Sequence, residues 1–336
     1  MKAAVFAYSR AGCRTAERVI AELAPAEIFP YTVARLEESG FMPLHKAVYG
    51  KVFYEMDALV FVGACGIAVR EIAPYVRDKK TDPAVVCIDE GAHFVIPVLS
   101  GHIGGANALA RRLAEALGGI AAVTTATDVN GKFAVDEWAA ENGCAISDMS
   151  LARSFASGIL ERELPLCSAF HIETALPPGV YAGTQGELGI YIGCDIKSPF
   201  DKTLRLIPRA VRVGVGCRRG TPQSAIESAI RRTLEENRID ARSVSGLYSI
   251  DLKKDERGIL EACRANGWKS EFYSADTLKN VKGDFTASGF VASVTGVDNV
   301  CERAAMAGGE RLIVRKTVHG GVTVAAALEH WEVRFG

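Results

Sequence analysis

Six residues able to do chemistry stand close together in the chain: Ser100, Gly101, His102, Gly104, Gly105 and Asn107. Glycine lets backbone N–H groups come near a ligand, and a histidine titrates near neutral pH. Before them, Phe94-Val95-Ile96-Pro97-Val98-Leu99 reads as a buried strand; after them, Leu109, Leu113, Ala116 and Leu117 recur at helical spacing. A loop that opens a helix presents unpaired N–H groups at the positive end of the helix dipole, which favours a carboxylate or a phosphate. The spacing is G-x-x-G-G rather than the G-x-G-x-x-G of dinucleotide folds, so it does not point to a nucleotide. The plainer account is a tight turn whose glycines serve packing alone.

Two other glycine turns follow the same plan. Ala58-Leu59-Val60-Phe61-Val62 is the clearest strand, and Gly63-Ala64-Cys65-Gly66-Ile67-Ala68-Val69-Arg70 leads from it into a helix. In a parallel sheet such turns lie at the carboxyl ends of strands, where open α/β folds bind ligands. The turns after 58–62 and 94–99 are therefore expected to line one crevice, with Gly63 and Gly66 in its wall. Arg70 is then a candidate carboxylate clamp, its bland alternative being a solvated helix residue. A polar cluster, Thr124, Thr125 and Asp128, ends the strand 120–123 and is expected beside the Gly101–Gly105 loop, positioning water or capping a helix near Lys132. Farther on, Val211-Arg212-Val213-Gly214-Val215-Gly216-Cys217-Arg218-Arg219-Gly220 repeats strand and glycine turn, and Thr221-Pro222 puts proline at the first helical position. Cys217 before two arginines suggests an activated thiol, but with no histidine beside it a buried structural cysteine is preferred.

The elements that must hold these groups read as α/β. With 336 residues, 49% hydrophobic, the chain is long enough for two or three domains. An N-terminal α/β domain is expected over 1–146, a middle module or connection over 147–208, and a C-terminal α/β domain over 209–336, with predominantly parallel sheets. Ala3–Ala7, 84–88 and 94–96 read as strands, the last two joined by a tight turn at Asp89–Ala92. Residues 31–54 read as irregular and then helical. Later strands are expected at 244–250, 269–273, 290–294 and 312–314, with Thr295-Gly296 and Lys316-Thr317 closing strand ends.

Net charge is −1, yet residues 207–336 carry 20 Lys and Arg against 16 Asp and Glu, leaving 19 against 24 before them. So small an offset points to docking between domains or to a local acidic-ligand site rather than to nucleic acid. Nine cysteines without a C-x-x-C pair and no export signal read as reduced thiols of a cytoplasmic protein. The six histidines form no H-x-x-x-H or H-E-x-x-H pair, so no dedicated metal site is expected. No apolar run approaches the ~20 residues that span a bilayer.

Leu59–Arg70, Pro97–Asn107, Ala122–Asp128, Val213–Gly220 and Ser293–Val297 together resemble the cobalt-precorrin-5A hydrolases of anaerobic cobalamin biosynthesis, the CbiG family. The resemblance runs in order through nearly the whole chain. It implies hydrolytic opening of the δ-lactone on the A-ring acetate of cobalt-precorrin-5A, with C20 and its methyl lost as acetaldehyde, giving cobalt-precorrin-5B. It also implies a cobalt-containing tetrapyrrole as partner, no cofactor because cobalt arrives in the substrate, and room for transient contacts with neighbouring pathway enzymes. Where the family leads one to expect a lysine, a glutamine and small residues, the chain has Arg315-Lys316-Thr317-Val318-His319-Gly320-Gly321, which leaves that loop's role open. Lactone opening needs a base for water and donors for the oxyanion. His102 is the first candidate base; Asp128 either orients it or acts in its place, and a carboxylate of the substrate is a third candidate. On that reading His102→Ala slows acetaldehyde release far more than it weakens binding. Gly104 and Gly105 are candidate oxyanion or carboxylate donors. Gly63, Gly66, Arg70, Ser100, Gly101, Asn107, Thr124, Thr125, Gly216, Arg218, Arg219 and Thr295 are candidate substrate contacts. A corrinoid carrier without chemistry is the main alternative, and a nucleotide-dependent enzyme a weaker one.

Overall fold

Strands apolar at every position need cover on both faces, and this requirement organises the first part of the chain. The structure, a computed structural model, describes residues 1–78, 81–102, 104–287, 289, 293 and 295–335. They form two compact units, Met1–Glu137 and Trp138–Gly336.

In the first unit the elements run β1 (Lys2–Ala7), α1 (Arg10–Leu23), β2 (Glu27–Val33), β3 (Met42–Leu44), α2 (Lys46–Glu55), β4 (Ala58–Val62), α3 (Cys65–Ile72), β5 (Ala84–Ile88), β6 (Phe94–Leu99), α4 (Ala106–Leu117), β7 (Ile120–Ala121) and α5 (Ala126–Val129), with α6 (Val135–Glu141) at its end. One seven-stranded sheet has the order β3-β2-β1-β4-β5-β6-β7. Alternation splits each strand between two cores. Val5, Val60, Val86 and Val95 face α1 and α4, meeting Val19 and Leu113. Phe6, Leu59, Phe61 and Val85 face α2 and α3, meeting Phe53 and Ile72.

The expected common crevice does not form. β6 runs antiparallel to β5: Val95 pairs with Ile88 at the end of β5, and Leu99 with Val85 near its start. Val62 pairs with that same Ile88. Gly63 and the Ser100–Gly105 loop therefore lie at opposite ends of the sheet, roughly 13 Å apart along the strands. Two local expectations also change. The stretch before α2 holds β2 and β3, whose half-buried residues and internal Pro30 hide the strand period. The polar cluster does not cap a helix near Lys132, because Thr125 is already the N-cap of α5.

The second unit carries two five-stranded sheets. The first is built from β8 (Ala145–Ile146), β9 (Leu164–Ser168), β10 (Val180–Ala182), β11 (Leu188–Ile192) and β12 (Lys202–Ile207) in the order β10-β9-β11-β12-β8, with α7 (Met149–Glu161) beside it. The second continues with β13 (Val211–Gly216), α8 (Gln223–Glu236), β14 (Val244–Ile250), α9 (Arg257–Asn266), β15 (Lys269–Tyr273), α10 (Ala275–Asn280), α11 (Cys301–Met306), β16 (Arg311–His319) and β17 (Val322–Leu328). Its order is β15-β14-β13-β17-β16, parallel through β13 and antiparallel at β17 and β16. Val211, Val213 and Val215 pack on α8 and α9, while Tyr248 and Ile250 meet Leu278, Val300 and Ala304. A Cβ on Gly214 would stand 1.8 Å from the Cys301 carbonyl oxygen, so only glycine lets α11 lie this close to β13. Pro222 is the N-cap of α8 rather than its first helical residue. The strand expected at 290–294 lies largely outside the described residues.

Candidate functional site

The Ser100–Gly105 loop is built tightly and uses its own polar groups. Ser100 has φ 57°, and its hydroxyl donates to the Asp82 carbonyl at 3.0 Å. The Gly105 N–H donates to the His102 carbonyl, that of Ala106 to Ser100 and that of Asn107 to Gly101, at 2.9, 3.1 and 2.9 Å. A Cβ on Gly104 would stand 2.3 Å from that of Ser100, and one on Gly101 2.7 Å from Asn107 Oδ1. These glycines permit close packing, and the amide of Gly105 is engaged inside the loop instead of pointing at an anion.

His102 is clasped by two acids. Its Nε2 lies 3.2 Å from Asp128 and its Nδ1 3.2 Å from Asp136, and its side chain is only 15% exposed. The carboxylates hold the imidazolium, with Asp136 the larger influence, and raise the ring's pKa from 6.5 to about 9 against the opposing effect of burial. Both ring nitrogens thus face a carboxylate. Asp128 is equally occupied: it accepts from Asn107 Nδ2 at 3.1 Å and is ion-paired with Arg111. Asn107 also donates to the Thr125 hydroxyl at 3.1 Å. His102, Asp128 and Glu137 have ligand atoms close enough to converge on a cation, but Arg111 bridges Asp128 and Glu137 and supplies that positive charge itself.

The second unit holds a different kind of site, a cavity of about 630 Å³ at the carboxyl ends of β13 and β14. Gly216, Cys217, Arg218 and Arg219 bring one wall, and Ser249, Ile250, Leu252 and Lys253 a second. Thr295, Asn299, Val300 and Cys301 close it from one side, and Lys316, Val318, Gly321 and Thr323 from the hairpin of β16 and β17. Among the described residues four cations line it and no carboxylate does. Two of them have acids of their own behind the wall. Arg219 pairs with Asp255 at 3.1 Å on the exposed surface; Lys253 pairs with the buried Glu256 at 3.1 Å, which also accepts the Gly220 N–H at 2.8 Å. Burial raises the thiols of Cys217 and Cys301, the latter to about 11, so both are neutral lining at pH 7. Cys217 is half-buried at the cavity wall rather than in the core.

The candidates thus fall into three places. Ser100, Gly101, His102, Gly104, Gly105, Asn107, Thr125 and Asp128 meet at one end of the first sheet, with the exposed Thr124 beside them. Gly63, Gly66 and the exposed Arg70 follow β4 at the other end. Gly216, Arg218, Arg219 and Thr295 all line the cavity. Sequence reading missed Lys253 and Asn299, as well as Asp136, which clasps His102, and named Lys316 only as part of a segment without an assigned role. Only Gly320-Gly321, with φ of 57° and 82°, carried a visible signal, since a Gly-Gly pair is a two-residue hairpin turn.

Two family models match the chain: Cobalamin synthesis G N-terminal over residues 47–128 and Cobalamin synthesis G C-terminus over 211–327. Every residue lining the cavity falls within the second. A cobalt-precorrin-5A hydrolase of Salmonella typhimurium is 33% identical over 97% of this chain and 97% of its own length. One of Priestia megaterium is 35% identical over 82% of this chain and 80% of its own. Among solved structures, CobE, a protein from the cobalamin (vitamin B12) biosynthetic pathway, aligns with 36% of this chain and 91% of its own at 26% identity and a TM-score of 0.34. Identity at this level over the full length of a curated relative means that the chain belongs to the cobalt-precorrin-5A hydrolase family, CbiG.

Proposed function

We propose that this chain hydrolyses the δ-lactone on the A-ring acetate of cobalt-precorrin-5A and releases acetaldehyde, giving cobalt-precorrin-5B. The observation that carries this reading is the cavity of the second unit, which among the described residues is lined by four cations, by apolar side chains including Ile250, Val300 and Val318, and by no carboxylate. A macrocycle fringed with acetates and propionates asks for that combination, since a broad apolar face meets Ile250, Val300 and Val318 while the acid arms meet the cations. Water adds to the lactone carbonyl and the acyl–oxygen bond breaks, leaving a carboxylate on the A ring. The alkyl oxygen stays on C20 as a hydroxyl; as that hydroxyl loses its proton the C=O of acetaldehyde forms, the bond from C20 to the macrocycle breaks, and its electron pair and then a proton stay with the ring.

The lining contains lysines, arginines and neutral thiols, but neither a histidine nor a carboxylate. In this reading the proton acceptor for water is therefore one of the substrate's own carboxylates, and the lysines stabilise the developing oxyanion. The His102 and Asp128 network braces the fold of the first unit. Cobalt enters with the substrate, so the reading needs no resident cofactor. Nine free cysteines suit a reducing compartment, the cytoplasm. No described helix is long and apolar enough to cross a membrane.

The test is incubation of the purified chain with cobalt-precorrin-5A, with acetaldehyde measured by a coupled dehydrogenase and the ring product by mass. Acetaldehyde in step with product formation supports the hydrolase. Tight binding of the macrocycle without acetaldehyde makes the chain a carrier and overturns the reading.

A further inference from the structure

The hairpin that closes the cavity is irregular where it reaches it. Val314 pairs with Ala326 and Thr317 with Val324, so β16 advances three residues while β17 advances two. The extra residue is a bulge at Arg315 and Lys316. Bulges bend a strand and re-aim a side chain. Here the Lys316 N–H donates to Glu302 Oε1 at 2.7 Å. Glu302 is 0% exposed, and it also accepts the Thr286 N–H at 2.8 Å and the Thr286 hydroxyl at 2.9 Å. Three donors thus fix a buried carboxylate, and that carboxylate fixes the bulge.

The side chain on the bulge lines the cavity. Lys316 is half-buried, and among the described residues no carboxylate comes within 4.0 Å of its ammonium, in contrast to Lys253 and Arg219. Holding an ammonium partly out of water without an acid partner is unfavourable. An incoming carboxylate removes that cost, and a neutral ligand does not.

We propose that Lys316 is the residue by which this cavity selects the carboxylate arms of a tetrapyrrole, and that Glu302 is the positioning residue that sets the bulge presenting it. The proposal rests on the hydrolase reading for the identity of the ligand but not for its chemistry. It also gives the segment Arg315–Gly321 a role, as the bulged end of a strand and its turn.

The experiment is absorbance titration of the full chain with two cobalt corrins, cobyrinic acid with its arms free and its fully methylated ester, at fixed salt. Lys316→Met is expected to weaken the acid ~tenfold, the size of one charge-assisted bond, and to leave the ester unchanged, while Lys316→Arg restores most of the affinity. Glu302→Gln is expected to weaken the acid ~threefold alone and to add nothing on the Lys316→Met background, a coupling that independent sites lack. Should Glu302→Gln fail to fold, Thr286→Val, which removes one donor to the same carboxylate, takes its place in the cycle. Acid affinity unchanged by Lys316→Met, or acid and ester weakened equally, overturns the proposal. If the wild type releases no acetaldehyde from cobalt-precorrin-5A while Lys316→Met still weakens the acid and leaves the ester unchanged, the hydrolase reading fails and this one stands. If acetaldehyde is released and Lys316→Met binds both corrins as the wild type does, only this one fails.

Discussion

The loop at Ser100–Gly105 and the cavity beside β16 are both rich in charge, yet they differ in how that charge is satisfied. In the loop each ionic group has its counterpart: His102 between Asp128 and Asp136, and Arg111 between Asp128 and Glu137. Of the four cations lining the cavity, Arg219 and Lys253 have acid partners outside the lining, and Arg218 and Lys316 have none among the described residues. A satisfied network stabilises and holds still, whereas an unbalanced one has a free-energy reason to take a ligand. A histidine in a glycine loop attracts attention in a sequence, but the balance of charges around it decides what it does.

The largest effect that would break this contrast concerns His102. His102→Ala removes the cation held between Asp128 and Asp136, and is expected to cost ~3 kcal/mol of stability. Denaturant unfolding should show that loss, with activity falling only as the folded fraction falls. A variant as stable as the wild type but slow in acetaldehyde release would return His102 to the chemistry.

The second effect is its pH dependence. The folded-state pKa of His102 is raised from 6.5 to about 9, so the stability it contributes is fully present below 6.5 and is lost as pH rises towards about 9. Melting temperature across that window should fall in the wild type and fall less in His102→Asn. Parallel profiles for the two proteins would show that the clasp is not charged.

The smallest effect separates the two arginines. Arg219 is exposed and already paired with Asp255, so Arg219→Ala should change corrin affinity by less than ~threefold. Arg218, which has no ion pair among the described residues, should matter more. Equal losses would mean that the cavity responds to net charge alone.

Much of the architecture was legible because fully apolar strands such as Ala58–Val62 and glycine turns such as Gly216–Gly220 carry strong local signals. The misplaced crevice had its own warning in the sequence. Residues 84–88 and 94–96 read as a pair joined by a tight turn, and a tight turn joins antiparallel strands, which sends the next loop to the opposite end of the sheet. Lys253 and Lys316 gave no such signal. The first is an ordinary lysine in a polar run, and the second reaches the cavity only through a bulge pinned by Glu302, a contact across fourteen residues that no periodicity reveals.

Hydrogen–deuterium exchange of the full chain with and without cobyrinic acid tests the central claim most directly. Protection is expected in 213–220, 249–253 and 314–323, with no change in 99–108 and 124–130. Protection confined to the Ser100–Asn107 loop and the Thr124–Asp128 cluster, with the cavity segments exchanging as before, would contradict the account.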